Sequence, residues 1–236
     1  MQHASNTSPS TNPRPLFWGF FVVTLFIQCI GSIFYFGVSN ESETARIIFA
    51  FTKIVMLAAP IALFFLGTGL KPTAWNLHAR DIGMGLGAGL VASALIFVVW
   101  NMFGNSMPIL INIVGEKATT LGLAHHYFAI AVVFSVVHSI FEEYFWRWYA
   151  VGGLALKLPW ARAAILGNGA FTLHHIVILS LFFSTPLTIL FSVCIWIMGI
   201  IWSLMYKKTG TLWAGWLSHA MVDMALFTVG YLLINV

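Results

Sequence analysis

The sequence predicts an all-α fold, a multi-pass bundle of about seven membrane-spanning helices. Three observations predict it. Of the 236 residues, 60% are hydrophobic and only 8% are charged, against about a quarter in soluble domains. Mean hydropathy is +0.91. The apolar residues fall into seven runs of about 20 residues or more, the length a helix needs to cross about 30 Å of hydrocarbon. The net charge of +4 does not point to a nucleic-acid partner, because the basic residues are scattered between the apolar runs. Cys29 and Cys194 both lie inside apolar runs, which excludes a disulfide framework and a cysteine-rich metal site.

Residues 1–14 are polar and rich in Ser, Thr, Asn and Pro, and are expected to form a disordered tail. Residues 15–236 are expected to form one integral membrane domain, with its motif-bearing core at about 123–235. The first run, 16–38, is too long for a signal-peptide core and no A-x-A-type site follows it, so it is expected to remain as a span. The second, 47–68, contains Lys53, expected to snorkel outward. The third, 82–103, opens with Gly83, Gly85, Gly87 and Gly89. No strand precedes these glycines, so a dinucleotide loop is excluded, and their i, i+4 spacing predicts close helix contact instead. A short apolar stretch, 108–114, is expected along the interface. Four further runs follow at 123–152, 162–182, 186–206 and 211–235.

Loop charge sets the expected orientation. With a cytoplasmic N-terminus, that side holds Arg14, Lys71, Arg80, Lys157, Arg162, Lys207 and Lys208, and the other holds Arg46 and Lys117. The C-terminus is therefore expected on the opposite side.

Ionisable side chains in a span mark functional positions by default, because each is costly unless partnered. The fourth run carries Glu142, Glu143 and Arg147. Glu143 and Arg147 are four apart on one helical face, so the arginine can neutralise that carboxylate. Glu142 points about 100° away, with His138 one turn behind it. The fifth run carries Asn168, Thr172 and His175 on one face, and His174 is expected to point elsewhere. The seventh opens with Ser218, His219 and Asp223, the last two again four apart. Counting about 1.5 Å per residue from the assigned cytoplasmic ends puts Glu142 about 15 Å deep, His175 about 20 Å and His219 about 12 Å. The three clusters can meet at one level. Blander positions are expected for His3 and His78, in tail and loop, and for His125 and His126, at the outer interface. His138 is expected as support.

A buried glutamate and a histidine aimed at one water form a general-base site. A second histidine can stabilise the oxyanion formed when that water attacks an amide carbonyl. Glu142, His175 and His219 also have the composition of a catalytic zinc site, and both readings stand at this point. No Ser or Cys stands out as a nucleophile, and neither H-E-x-x-H nor G-x-S-x-G occurs.

Glu142-Glu143-x-x-x-Arg147, Phe171-x-x-x-His175 and His219-x-x-x-Asp223, in this order, resemble the motifs of the type II CAAX prenyl endopeptidase and bacteriocin-processing (CPBP, or Abi) intramembrane proteases. The resemblance covers about residues 125–225, with Gly210-Thr211-Leu212-Trp213 ahead of the third motif. It implies an intramembrane endopeptidase in which Glu142 and His175 activate water, and His219 with Asp223 binds the oxyanion. Glu143, Arg147, His138, Asn168 and Phe171 would support them. It implies a membrane-associated protein or peptide substrate, lipidated in some members. The preferred mechanism needs no cofactor; the alternative places one divalent metal, zinc, on Glu142, His175 and His219. The family commonly has Asn where this chain has Asp223. An ionised carboxylate only accepts hydrogen bonds, so Asp223 is either protonated, orients His219 by accepting its N–H, or helps bind a cation, and the second is expected from the i, i+4 spacing. Two competing readings are an inactive scaffold of the same fold and a proton-coupled transporter.

Overall fold

Apolar runs broken by short polar connections give seven helices in a computed structural model that describes residues 15–38, 43–65, 70–103 and 126–234. Helix α1 is Pro15–Ser32, prolonged by the wide turn Ile33–Val38. Helices α2 and α3 are Glu43–Phe65 and Ala79–Phe103. Helix α4 runs over Tyr127–Leu154. Helices α5, α6 and α7 are Trp160–Phe182, Thr185–Thr209 and Trp213–Ile234. Among the described residues there is no strand, only an isolated bridge between Ala74 and Thr211. The polar tail, the 108–114 stretch and His125 lie outside the described residues.

Six helices, α1 to α6, are long and apolar enough to cross a membrane, which makes this an integral multi-pass membrane protein. Seven such runs were expected. The seventh helix is there, 22 residues long.

The centre of the bundle is α4. From Phe145 to Val151 every side chain is buried, the pattern of a helix surrounded on all sides. It touches α2, α5, α6 and α7, and its Tyr149 reaches α1. Nor is it a regular helix. Two wide π-helical stretches, Phe134–His138 and Tyr144–Val151, flank a short α-helical one, Ser139–Glu143. Such turns add a residue per turn, re-aim side chains and are frequent at functional sites. Both glutamates lie between them.

Lipid offers no hydrogen-bonding solvent, so buried polar groups must find partners inside the bundle. The Thr24 hydroxyl donates to the Phe21 carbonyl at 2.7 Å, and the Tyr149 hydroxyl therefore donates to Thr24 Oγ1 at 2.5 Å. Gln28 Nε2 donates to the Thr52 carbonyl at 2.9 Å, tying α1 to α2.

The position of α7 is set twice over. At its start, α6 stops at Gly210, whose φ of +74° is left-handed and suits glycine. Ala74 then donates its N–H to the Gly210 carbonyl at 3.3 Å, and Trp213 Nε1 donates to the Trp75 carbonyl at 2.9 Å. Along its length α7 lies against α3, where a Cβ on Gly85 would come within 2.9 Å of the Ala214 carbonyl oxygen and one on Gly89 within 2.6 Å of Met221 Sδ. The expected close approach is real, but only this i, i+4 pair makes it. Gly83 and Gly87 have open space at the same place.

Backbone cannot retreat as a side-chain tip can, so Gly85→Leu is expected to destabilise the protein by about 1–3 kcal/mol through overpacking. Gly87→Leu should fall within about 0.5 kcal/mol of wild type. Unfolding in detergent micelles measures both, and equal losses would mean that α3 does not rest on α7 through Gly85.

Candidate active site

Glu143 is the anchored carboxylate. Arg147 Nε donates to its two oxygens at 3.2 and 3.1 Å, and His219 Nδ1 lies 3.0 Å from Oε1. Both charged side chains are fully buried. Arg147 Nη1 also donates to Asn168 Oδ1. The amide of Asn168 donates in turn to the Ala164 carbonyl at 2.8 Å and to Ser203 Oγ at 2.9 Å. The guanidinium lies between the rings of Phe171 and Trp202, at 4.8 and 5.3 Å, which adds cation–π attraction in a dry setting. Trp202 stacks on His219, with centroids 4.1 Å apart and planes 14° apart, and its Nε1 donates to Ser218 Oγ at 3.0 Å.

Two glycines leave room for this network. A Cβ on Gly215 would sit 2.5 Å from Glu143 Oε2, and one on Gly199 would sit 2.5 Å from Asn168 Oδ1. Supporting residues Glu143, Arg147, Asn168 and Phe171 thus meet as one unit spanning α4 and α5, and α6 adds Trp202, Ser203 and Gly199, which no sequence pattern marks. Apolar and small residues on an apolar span carry no signal.

Glu142 has a different environment. Its carboxylate is buried, and three imidazoles surround it. His174 Nε2 is 3.4 Å from Oε1, His138 Nε2 is 3.5 Å from Oε1, and His219 Nε2 is 3.7 Å from Oε2. Among the described residues neither oxygen has a hydrogen-bond partner. His175 stands beside His174, with ring centroids 3.9 Å apart. Its Nδ1 is 3.1 Å from the Phe171 carbonyl, and a carbonyl only accepts, so Nδ1 carries the proton. Nε2 of His175 is then a free lone pair.

Two expectations are corrected, for His174 and Lys53, and a third is extended. His174, expected to point elsewhere, faces Glu142, because the wide turns of α4 bring the carboxylate against both histidines. Asp223 Oδ1 pairs with His219 Nε2 at 3.6 Å, and Glu143, which was not expected to hold this ring, takes Nδ1 at 3.0 Å. Lys53 does not snorkel outward. Its Nζ is 3.5 Å from His138 Nε2 and 5.1 Å from the Phe49 ring, so it points into the cluster. Its charge inside an apolar run was the signal that could have found it.

One ligand atom each from Glu142, His174 and His175 falls within 4.8 Å of the others. Two imidazoles and a carboxylate are a catalytic zinc donor set, and the unpartnered oxygens of Glu142 suit it. The residues therefore fit a divalent metal, although His219, expected among the ligands, is not part of this trio. The same trio fits a water held between a carboxylate and a basic imidazole.

Residues 124–225 match the model of the family described as Type II CAAX prenyl endopeptidase Rce1-like. The match runs from the start of α4 past Asp223 and agrees with the resemblance carried by the three motifs. It supports, at family level, a CAAX-type intramembrane endopeptidase. No curated protein and no solved structure matches the chain.

Arg147→Met would leave Glu143 charged, buried and short of its cation. It is expected to destabilise the protein by about 3–5 kcal/mol, with Arg147→Lys recovering only part because lysine lacks the fork. Reversible unfolding in micelles measures this. A loss below about 1 kcal/mol would remove Arg147 from the centre of the network.

Proposed function

We propose that this chain is an intramembrane endopeptidase that hydrolyses a peptide bond of a membrane-associated protein or peptide, with Glu142 and His175 activating the attacking water. The observation that carries this reading is the Glu142 carboxylate, buried among three imidazoles with neither oxygen hydrogen-bonded among the described residues. A structural carboxylate in lipid would be saturated, as Glu143 is. An acceptor left open beside a basic imidazole suits a proton that arrives with the reaction.

The steps follow from the proton positions. His175 Nε2 accepts one hydrogen bond from the water, and Glu142 takes the other proton as the water oxygen attacks the carbonyl carbon. The carbonyl π pair moves onto its oxygen. Collapse breaks the C–N bond, and the leaving nitrogen takes the proton held by Glu142, giving an amine and a carboxylic acid, whose remaining proton passes to His175 Nε2 and then to solvent, leaving the carboxylate. His174 holds Glu142 in place. His219 faces the developing oxyanion: with Nδ1 committed to Glu143, a ring protonated at both nitrogens donates through Nε2. Asp223, 3.6 Å from that nitrogen, supports its positive charge, a role that an amide fills only in part.

A divalent metal would be held by Glu142, His174 and His175, and when bound would supply Lewis-acid activation of water or carbonyl. The preferred mechanism runs on the side chains alone. The basic end of the bundle, with Lys71, Arg80, Lys157, Arg162, Lys207 and Lys208, faces the cytoplasm on this reading. Substrate enters laterally from the bilayer, and the family description makes a lipidated protein tail the class to test first.

Purified protein in lipid is expected to cleave membrane-anchored peptides, with Glu142→Gln lowering the rate by at least about 10²–10⁴ and a chelator leaving wild type active. Loss of activity on chelation would assign the trio to a metal instead. Equal cleavage by Glu142→Gln and wild type would reject the mechanism. Asp223→Asn should retain measurable activity and Asp223→Leu should lose more; the reverse order would deny Asp223 an electrostatic part in catalysis.

A further inference from the structure

An apolar groove of about 540 Å³ lies between α1, α5 and α6, away from the Glu142 site. Leu25 and Phe26 of α1, Ile165, Leu166 and Leu173 of α5 and Trp196 of α6 form its walls. Its floor is Gly169, where a Cβ would meet nothing within 4 Å. The one polar group of those walls is spent, since Trp196 Nε1 donates to the Ile165 carbonyl at 3.3 Å. Such a groove suits a hydrocarbon chain. Its mouth is different. On α5, Arg162, Leu166, Gly169 and Leu173 follow at i, i+4, i+7 and i+11, so the arginine heads the stripe that lines the groove. Leu154 also lines it, and Lys157 follows in the turn after Leu154, its Nζ 5.8 Å from the ring centre of Trp18. Trp18 and Leu25, seven apart, share a face of α1. Both cations therefore stand at the open end of the groove, at the level where tryptophan rings mark the lipid headgroups.

We propose that this groove binds an anionic phospholipid, with an acyl chain along α5 and the phosphate held by Arg162 and Lys157. Three observations favour that occupant. From Ile165 to Leu173 is about 12 Å of helix, most of the about 15 Å that one leaflet contributes to a hydrocarbon core about 30 Å thick. Arg162 is exposed and, among the described residues, no carboxylate lies within ion-pair distance of it; its planar fork matches a phosphate. The groove also opens at the basic end of the bundle, the end that by the loop charges meets the anionic leaflet. A neutral lipid would leave both cations unmatched, and a free phosphate would leave the groove unused. By the same helical spacing Phe171 and His175 face the opposite side of α5, so a chain held here lies behind the Glu142 site and braces α5 against α1.

The test uses the full chain in detergent micelles, titrated with phosphatidylglycerol or phosphatidylcholine of the same acyl chains. Native mass spectrometry counts bound lipid, and the unfolding midpoint is followed in parallel. The first phosphatidylglycerol is expected to bind at least about tenfold more tightly than phosphatidylcholine, as a charge-assisted contact provides. Arg162→Gln should bring the two affinities close together, and Arg162→Lys should keep part of the difference. Gly169→Leu fills the groove. It should weaken both lipids about tenfold or more while leaving the lipid-free midpoint unchanged, because the new side chain enters open space. Equal affinities with wild type would overturn the proposal, as would a preference that survives Arg162→Gln combined with Lys157→Gln. Glycerol phosphate binding as tightly as the lipid would make this a free-anion site and reject the acyl chain. Displacement of phosphatidylglycerol by a neutral isoprenoid alcohol at equal concentration would give the groove to the lipid chain of a substrate instead. A lower lipid-free midpoint for Gly169→Leu would leave the decision to the Arg162 and Lys157 variants, which are exposed and outside the packed core. No readout involves cleavage, so the proposal stands or falls apart from the hydrolytic reading.

Discussion

The Glu143–Arg147 ion pair is the constraint on which the rest of the site depends. Both groups are fully buried, and neither can be left alone, because an unpaired charge in such a setting is destabilising by several kcal/mol. Each therefore recruits further partners from other helices. Arg147 takes Asn168 from α5, which takes Ser203 from α6, and Glu143 takes His219 from α7. One pair four residues apart on α4 thus fixes the register of three other helices. Trp202 and Phe171 close over the guanidinium and complete its shielding from lipid.

That saturation explains the division of labour between two neighbouring glutamates. Glu143 spends its lone pairs on fixed donors and becomes part of the scaffold. Glu142, one residue earlier, meets imidazoles at 3.4 to 3.7 Å and hydrogen-bonds none of them. The two environments differ because α4 widens on either side of the pair, so that adjacent residues face different helices. Positioning and reactivity are separated by a single peptide bond. His219 belongs to both, with Nδ1 on the scaffold carboxylate and Nε2 on the reactive side.

Much of this was legible in the sequence. The helical class followed from run length and hydropathy. Glu142, Glu143 and Arg147 stood out because charge is scarce in an apolar chain, and the i, i+4 pairing of Glu143 with Arg147 is local geometry that the fold preserved. The glycine run was read correctly as a contact surface, although the chain uses only Gly85 and Gly89. Other readings failed where they assumed an ideal helix or an isolated one. A regular 100° step separates His174 from His175, but the irregular α4 presents Glu142 to both. Lys53 was read as a snorkelling cation because its own helix shows no partner; the partner is His138, 85 residues away.

By itself, then, the sequence determined the membrane-spanning class, the order of the polar motifs and the identities of the groups able to do chemistry. These are properties of composition and of neighbours within a turn or two. Tertiary structure alone decided which carboxylate is held and which is open, that Glu143 takes Nδ1 of His219, and that α2 delivers a cation to the site. Those outcomes depend on which donors from distant segments reach a buried acceptor first. In a medium without water, that competition is settled only when the helices pack.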